Sequence, residues 1–341
     1  MQNLNIYILA IESSCDDTSC AILLNNKVLS NVTAHQKIHE QFGGVVPELA
    51  SRDHQKNIVP VVHEALKIAK VNLKQLSAIA VTAGPGLMGS LLVGLSFAKS
   101  LSIALRIPLI EVNHMQAHIL AHFIQDDEEH SVPIFPFICL TVSGGHTQLV
   151  KVKNYLDFDL LGETIDDAVG EAFDKAAKTL GLDYPGGPLI DKLAKSGDKN
   201  KYRFASTKVP GFDYSFSGIK TSFLYFIRDQ VKVNPNFISE NLTDICASYQ
   251  SHLIQVLLKN VKLVLKDTGI THLAIAGGVS ANSELRLQVD MLGRELAIKT
   301  FIPKFEYCTD NAAMIGITGY YKFLNEEFSA LNLAPKVRME L

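Results

Sequence analysis

Short runs of continuous apolar sequence alternate with longer stretches in which apolar residues recur roughly every three to four positions. The runs Ile6–Glu12, Ser19–Leu24, Val28–Ala34, Ala78–Ala83, Leu109–Val112, Phe137–Val142, Thr147–Val152, His272–Ala276 and Lys299–Pro303 predict strands. Several are apolar at almost every position, the habit of strands covered on both faces. Helical spacing predicts helices over Pro47–Val71, Ser90–Leu105, His114–Ile124, Thr164–Leu180, Pro188–Ser196, Ser217–Val231, Ile238–Thr268, Asn282–Leu296 and Asn311–Asn325. This alternation implies an α/β protein with helices packed against mixed sheets.

The order of elements repeats. Strand, tight polar turn, strand, strand, then helix–strand–helix–strand describes the N-terminal part, and a similar order restarts at Phe137. Two similar lobes with a cleft between them are expected: residues 1–130, and 131–341 carrying a mostly helical insertion over about 156–268. The polar stretch Gln125–Pro133 is the expected boundary, with the acidic run Asp126–Glu129 read as a solvated linker.

Length agrees, since 341 residues suggest about two domains. The charge balance, 32 Lys+Arg against 35 Asp+Glu, argues against gripping nucleic acid by bulk charge. It leaves room for a local basic strip, for which Lys192, Lys195, Lys199, Lys201 and Arg203 are candidates. The five cysteines are odd in number and form no CxxC pair, which favours a reduced, cytoplasmic protein over a disulfide framework. The start lacks a basic n-region, and the apolar stretch Leu87–Val112 is broken by Lys99, Arg106 and Glu111, so no membrane span is expected.

Several motifs sit where strands end. In ILAIESSCDDTSC, an apolar strand stops at Glu12 and is followed by hydroxyls, then Asp16 and Asp17. Such a turn offers N–H groups to a phosphate, and its carboxylates a base or a metal ligand, while a plain hairpin turn explains it equally well. TAGPGLMGS (Thr82–Ser90) opens a helix after a strand but lacks the Lys-Ser/Thr ending of a P-loop. His114 and His118 stand one helical turn apart, the spacing that lets two imidazoles share a cation. Residue 115 is Met, so the glutamate base of an HExxH peptidase is missing. Thr141, Val142, Ser143, Gly144 and Gly145 form a second strand-to-turn cradle. Asp167, Glu171, Asp174 and Lys175 share one helix edge, and the rigid turn through Gly187 leads to Asp191. AGGVSAN ends at Asn282 before a helix. Asp310 reads either as a helix N-cap or as a carboxylate completing the histidine pair.

Taken in order, ILAIESSCDDTS, GGVVPELASRDH, TAGPGLMGSLLVG, NHMQAH, VSGGHT, GEAFDKAAK, YPGGPLID, YSFSGIKT, GGVSANSELR and CTDNAAMIG resemble the transferases of tRNA threonylcarbamoyladenosine synthesis, of the bacterial TsaD type. Members of that family were formerly described as O-sialoglycoprotein endopeptidases. The resemblance runs from about Ile8 to Gly319. It implies the duplicated actin-like ATPase fold of sugar kinases and heat-shock proteins. It further implies one divalent metal, iron or zinc, on His114, His118 and Asp310. Threonylcarbamoyl-AMP, or ATP or AMP in its place, is expected on Thr141 to Gly145, Asp174, Gly187, Asp191 and Asn282, and a catalytic role for Asp16 or Asp17. The implied reaction moves the threonylcarbamoyl group to the exocyclic amine of the tRNA adenosine beside the anticodon. A metallopeptidase and an actin-like ATPase or kinase are the alternatives. Implied partners are tRNA, a paralogous TsaB-type protein and a small TsaE-type ATPase, with a homodimer left open. The chain departs from the family pattern at Asp17, where Glu is usual, at Ser13, where Thr is common, and at Gln116-Ala117, where Glu-Gly is frequent.

Overall fold

The computed structural model describes residues 5–126, 131–206 and 209–341. Most of the acidic run Asp126–Glu129 therefore lies outside the described residues. In chain order the elements are β1 (Tyr7–Glu12), β2 (Asp17–Leu24), β3 (Lys27–His35), α1 (Pro47–Ala69), β4 (Ala78–Gly84), α2 (Met88–Leu105), β5 (Leu109–Asn113) and α3 (His114–Leu120). Then follow β6 (Phe137–Val142), β7 (Thr147–Asn154), β8 (Asp157–Glu163), α4 (Val169–Thr179), α5 (Gly186–Ala194), α6 (Ser217–Val233) and α7 (Phe237–Thr268). The last are β9 (His272–Ala276), α8 (Ser283–Leu296), β10 (Lys299–Phe301) and α9 (Ala312–Leu324).

The strands form two five-stranded sheets, ordered β3-β2-β1-β4-β5 and β8-β7-β6-β9-β10. In each, the first strand of the set pairs antiparallel with the second and parallel with the fourth. The repeated order expected from the sequence is thus a repeated topology. β8 is an addition to the expected strands. Its sequence DFDLLGE shows no clean alternation, and most of its residues are partly or fully exposed at the sheet edge. The helical insertion accordingly starts after β8 rather than near residue 156.

Two compact units are present. One holds residues 1–132, 154–157 and 303–341, the other 133–153 and 158–302. The segment 303–341, expected in the second lobe, packs in the first unit for a physical reason. α9 is buried from Ala312 through Gly319, and it lies on β1, β2 and β4. A Cβ on Gly316 would stand 2.3 Å from a Leu23 methyl, and one on Gly319 would stand 2.5 Å from the Ala80 Cβ. Only glycine lets the helix approach the sheet this closely.

The first unit's core joins Leu9, Ile11, Ile22, Ile79 and Val81 to Ile58, Val62 and Ala65 of α1 and Leu95 and Ala98 of α2. α2 is the one described helix long and apolar enough to cross a membrane, and it lies against α1 and β4. The second unit's core gathers Phe173, Tyr214, Phe216, Phe223 and Tyr249 around β6 and the long α7.

Candidate functional site

Three donor atoms converge in the first unit. Asn113 ends β5 and caps α3, its Oδ1 accepting from the N–H groups of Met115 at 2.8 Å and Gln116 at 3.2 Å. The cap starts the helix at His114 and brings His118 onto the same face, with ring centroids 4.7 Å apart and the planes perpendicular. The two Nε2 atoms are 3.2 Å apart, and each is 3.3 Å from Asp310 Oδ1. Asp310 is not the cap of α9. Asn311 takes that place, its Oδ1 accepting from Met314 N–H at 3.0 Å, so the Asp310 carboxylate is left to the histidines.

This triangle fits a metal ion. A tetrahedral ion with ligands at about 2.0–2.1 Å sets its donors about 3.3 Å apart. Among the described residues these three are the one group of His, Cys, Asp and Glu with such convergence. His118 Nδ1 is buried and has no hydrogen-bond partner among them. Burial disfavours charge on His114, but Asp310 and Glu12 beside it carry its pKa well above the ordinary imidazole value. Burial would likewise raise Asp310, and the two imidazoles instead hold its carboxyl far below the usual range.

Behind His114 stands Glu12, which the sequence pattern did not single out. The residue is fully buried at the end of β1. Its Oε2 accepts from Thr82 Oγ1 at 2.6 Å and lies 3.0 Å from His114 Nδ1, and its Oε1 accepts from the Ser14 N–H. One signal was available: Glu12 is the only carboxylate in a strand otherwise wholly apolar or aromatic.

The following turn is clamped from several sides. His54 of α1 bridges Thr18 Oγ1 at 2.8 Å and the Cys15 carbonyl at 2.9 Å, and Ser90 Oγ donates to that same carbonyl. Asp17 opens β2 and pairs with His35 Nδ1 at 2.8 Å. Burial pushes its carboxyl up to about 6, with His35 opposing and the Asp310 charge adding. Asp16 lies within electrostatic reach of the Cys15 thiol, which burial raises far above its ordinary value.

The remaining expected residues all belong to the second unit. Thr141 and Val142 are buried in β6, whereas Gly144 and Gly145 are exposed at the turn. Asp174 Oδ1 accepts from the N–H groups of Gly186 at 2.9 Å and Gly187 at 3.3 Å. Asp191 accepts from Ser283 Oγ at 2.8 Å, while Asn282 caps α8 and donates to Gln250 Oε1 at 2.7 Å. These polar side chains therefore tie α4 to the start of α5, α5 to the start of α8, and the α8 cap to α7. The glycines are more telling. Gly277 has φ +86 and its absent Cβ would meet the Val142 carbonyl at 2.4 Å. Gly144, Gly145 and Gly278 have neither a positive φ nor any atom within 4 Å of a built Cβ. At these three positions neither backbone conformation nor close packing requires glycine. Within the candidate basic strip, Lys199 and Lys201 are paired with Glu284 and Asp244.

Over residues 27–317 the sequence matches the family described as TsaD, tRNA N6-adenosine threonylcarbamoyltransferase. The chain belongs to the TsaD family. A protein of that description from Christiangramia forsetii is 60% identical, the match covering 99% of this chain and 99% of its own. Another from Cytophaga hutchinsonii is 54% identical over 100% of this chain and 98% of its own. As a TsaD-family member the chain is a tRNA-modifying transferase. The fold is that of the actin-like ATPases. Among solved structures, full-length HypF in its phosphate- and nucleotide-bound form aligns with a TM-score of 0.63 at 13% identity, covering 96% of this chain and 47% of that one. Component A of the Acidaminococcus fermentans (R)-2-hydroxyglutaryl-CoA dehydratase aligns with a TM-score of 0.50 at 15% identity, covering 93% and 98%. At such identities the likeness is one of fold. The peptidase and kinase alternatives gain no support from the family match.

Proposed function

We propose that this TsaD-family transferase takes the threonylcarbamoyl group from threonylcarbamoyl-AMP and delivers it to the exocyclic amine of the adenosine beside the anticodon. The tRNAs are those reading codons that begin with A, and AMP is released. The observation that carries the site assignment is the triangle of His114 Nε2, His118 Nε2 and Asp310 Oδ1, with edges of 3.2 and 3.3 Å. These residues hold one divalent ion, iron or zinc. When bound, the ion supplies Lewis-acid polarisation of a substrate oxygen.

The chain's own groups do the rest. Gly144 and Gly145 bring exposed backbone N–H groups to the adenylate phosphate, or to that of ATP or AMP. The leading N–H groups of α4 and α5 do not serve that purpose, because they already bond Thr147, Ser143 and Asp174. Asp174, Gly187, Asp191 and Asn282 fix the starts of α5 and α8 around the nucleotide. Between the two acidic candidates, Asp17 is assigned the proton lost by the attacking nitrogen. Its carboxyl at about 6 is ionised at neutral pH and more basic than an ordinary aspartate.

The enzyme works in the cytoplasm with a paralogous TsaB-type protein and a TsaE-type ATPase. Two lysines of the basic strip are already ion-paired within the chain, which reduces the positive charge that strip offers to tRNA phosphates. The test is nucleoside mass analysis of tRNA after incubation with threonine, bicarbonate, ATP, the donor-forming enzyme and the partners. Threonylcarbamoyladenosine is expected with the full set and lost with His114→Ala. Full modification by His114→Ala with wild-type metal content overturns the site assignment.

A further inference from the structure

Glu12 has no assigned part in the chemistry above, yet it is the most committed side chain near the histidine pair. A buried carboxylate is costly unless every oxygen is satisfied. Here the satisfaction is directional. The Ser14 N–H can only donate, and it donates to Oε1. The Thr82 hydroxyl lies 2.6 Å from Oε2, and an ionised carboxylate offers no proton in return, so Thr82 donates. His114 Nδ1 lies 3.0 Å from Oε2, which can only accept, and 3.3 Å from the Ser14 hydroxyl, which can accept or donate. The shorter contact, to the charged oxygen, places its proton on Nδ1. In the neutral or metal-bound ring Nε2 then carries the lone pair, and Nε2 is the atom facing His118 Nε2 and Asp310 Oδ1.

We propose that Glu12 is a positioning residue that fixes His114 in the Nδ1–H form and so turns its Nε2 lone pair toward His118 and Asp310. The inference rests on the metal reading of that group. His118 lacks an equivalent support, since its Nδ1 has no partner among the described residues. The two imidazoles are consequently unequal. At its Nδ1, His114 is held by Glu12 of β1, itself braced by Thr82 of β4, and by Ser14, whereas the Nδ1 of His118 has no such hold. Carboxylates that support a ligating histidine in this way typically contribute 10- to 100-fold in metal affinity.

Glu12→Gln is the informative variant because it keeps the shape and changes one oxygen into an NH2. The Ser14 N–H still requires the remaining oxygen, so the amide nitrogen faces Thr82 and His114. It then donates to Nδ1 and drives the ring proton to Nε2, onto the ligand atom. The experiment is a zinc competition titration against a chromophoric chelator, with histidine 15N spectra of the zinc-loaded protein and a thermal unfolding control. Wild type is expected to show His114 with a protonated Nδ1. Glu12→Gln is expected to bind zinc 10- to 100-fold more weakly.

Zinc affinity of Glu12→Gln within twofold of wild type overturns the proposal. So does a wild-type His114 with no proton on Nδ1, a readout that stands even if the variant fails to fold. His118→Ala separates this idea from the reading beneath it. If His118→Ala and wild type bind zinc alike, the metal assignment falls and Glu12's role with it. If His118→Ala is weakened while Glu12→Gln is not, only the role of Glu12 falls.

Discussion

Asn113 Nδ2 donates to the backbone carbonyl of Glu340 at 2.7 Å, while the Oδ1 of the same side chain caps the helix carrying both histidines. Nearby, the Lys336 N–H donates to the Ala83 carbonyl at 2.7 Å, and a Cβ on Gly84 would stand 2.0 Å from the Lys336 carbonyl oxygen. The C-terminal tail is thus fastened to the ends of β4 and β5. Asn113→Ala removes the cap and the fastening together and should cost about 1–2 kcal/mol in urea unfolding. Asn113→Asp keeps the acceptor but not the donor. It should lose less stability while the tail becomes cleavable in limited proteolysis.

Replacement of the convergent donors tests the candidate metal centre directly. His118→Ala and Asp310→Asn should each lower metal content, measured by elemental analysis, and reduce tRNA modification by at least 100-fold. That is more than the 10- to 100-fold typical of supporting residues. Wild-type metal retention in both variants would refute the shared site.

The glycines separate ligand contact from folding. Gly144→Ala and Gly278→Ala meet no neighbour and need no unusual φ, so their stability should stay within about 0.5 kcal/mol of wild type. The KM for the adenylate should nevertheless rise roughly tenfold, the loss of about 1.4 kcal/mol of binding. Gly277→Ala meets the Val142 carbonyl at 2.4 Å with φ +86, and should destabilise the fold by about 1–3 kcal/mol. Equal effects of all three substitutions on unfolding would remove the distinction.

Acid titration should expose one local anchor. Burial is the largest single influence on the Asp166 carboxyl and raises it, but the Ser215 and Ser217 hydroxyls and the Phe216 and Ser217 N–H groups together bring it below the ordinary value. A depressed folded pKa contributes stability that is present above the unfolded value, about 3.9, and is lost as pH falls through the folded one. Asp166→Asn should therefore lower the Tm at pH 7 and show a shallower decline toward pH 3 than wild type. Parallel Tm profiles would show that this carboxylate does not anchor α6.

Much of the architecture was legible in the sequence because buried strands announce themselves. Ile8 through Ile11, Ala78 through Ala83 and Phe137 through Val142 are apolar nearly throughout and buried throughout. β8 was not legible, since an edge strand with half-exposed residues carries no such signal. The predicted helix start at Thr164 was five residues early. Asp166 turns outward to cap α6 across 50 residues of sequence, and α4 begins only at Val169. The histidine spacing showed the pair, whereas the residues alone left Asp310 between a helix cap and a third donor, and only the family resemblance implied the donor. Glu12 stayed hidden because what buries it comes from Thr82 and His114, which are 70 and 102 residues away.

The first unit is also interrupted: its last segment, 303–341, follows the whole of the second unit in the chain. A ribosome therefore releases both imidazoles well before the aspartate that faces them. Until the nascent chain has passed Asp310, the group lacks its third donor, and α9 is not there to pack on the sheet. On the metal reading proposed above, loading would be a late event of biosynthesis, coupled to the return of the chain into its first unit.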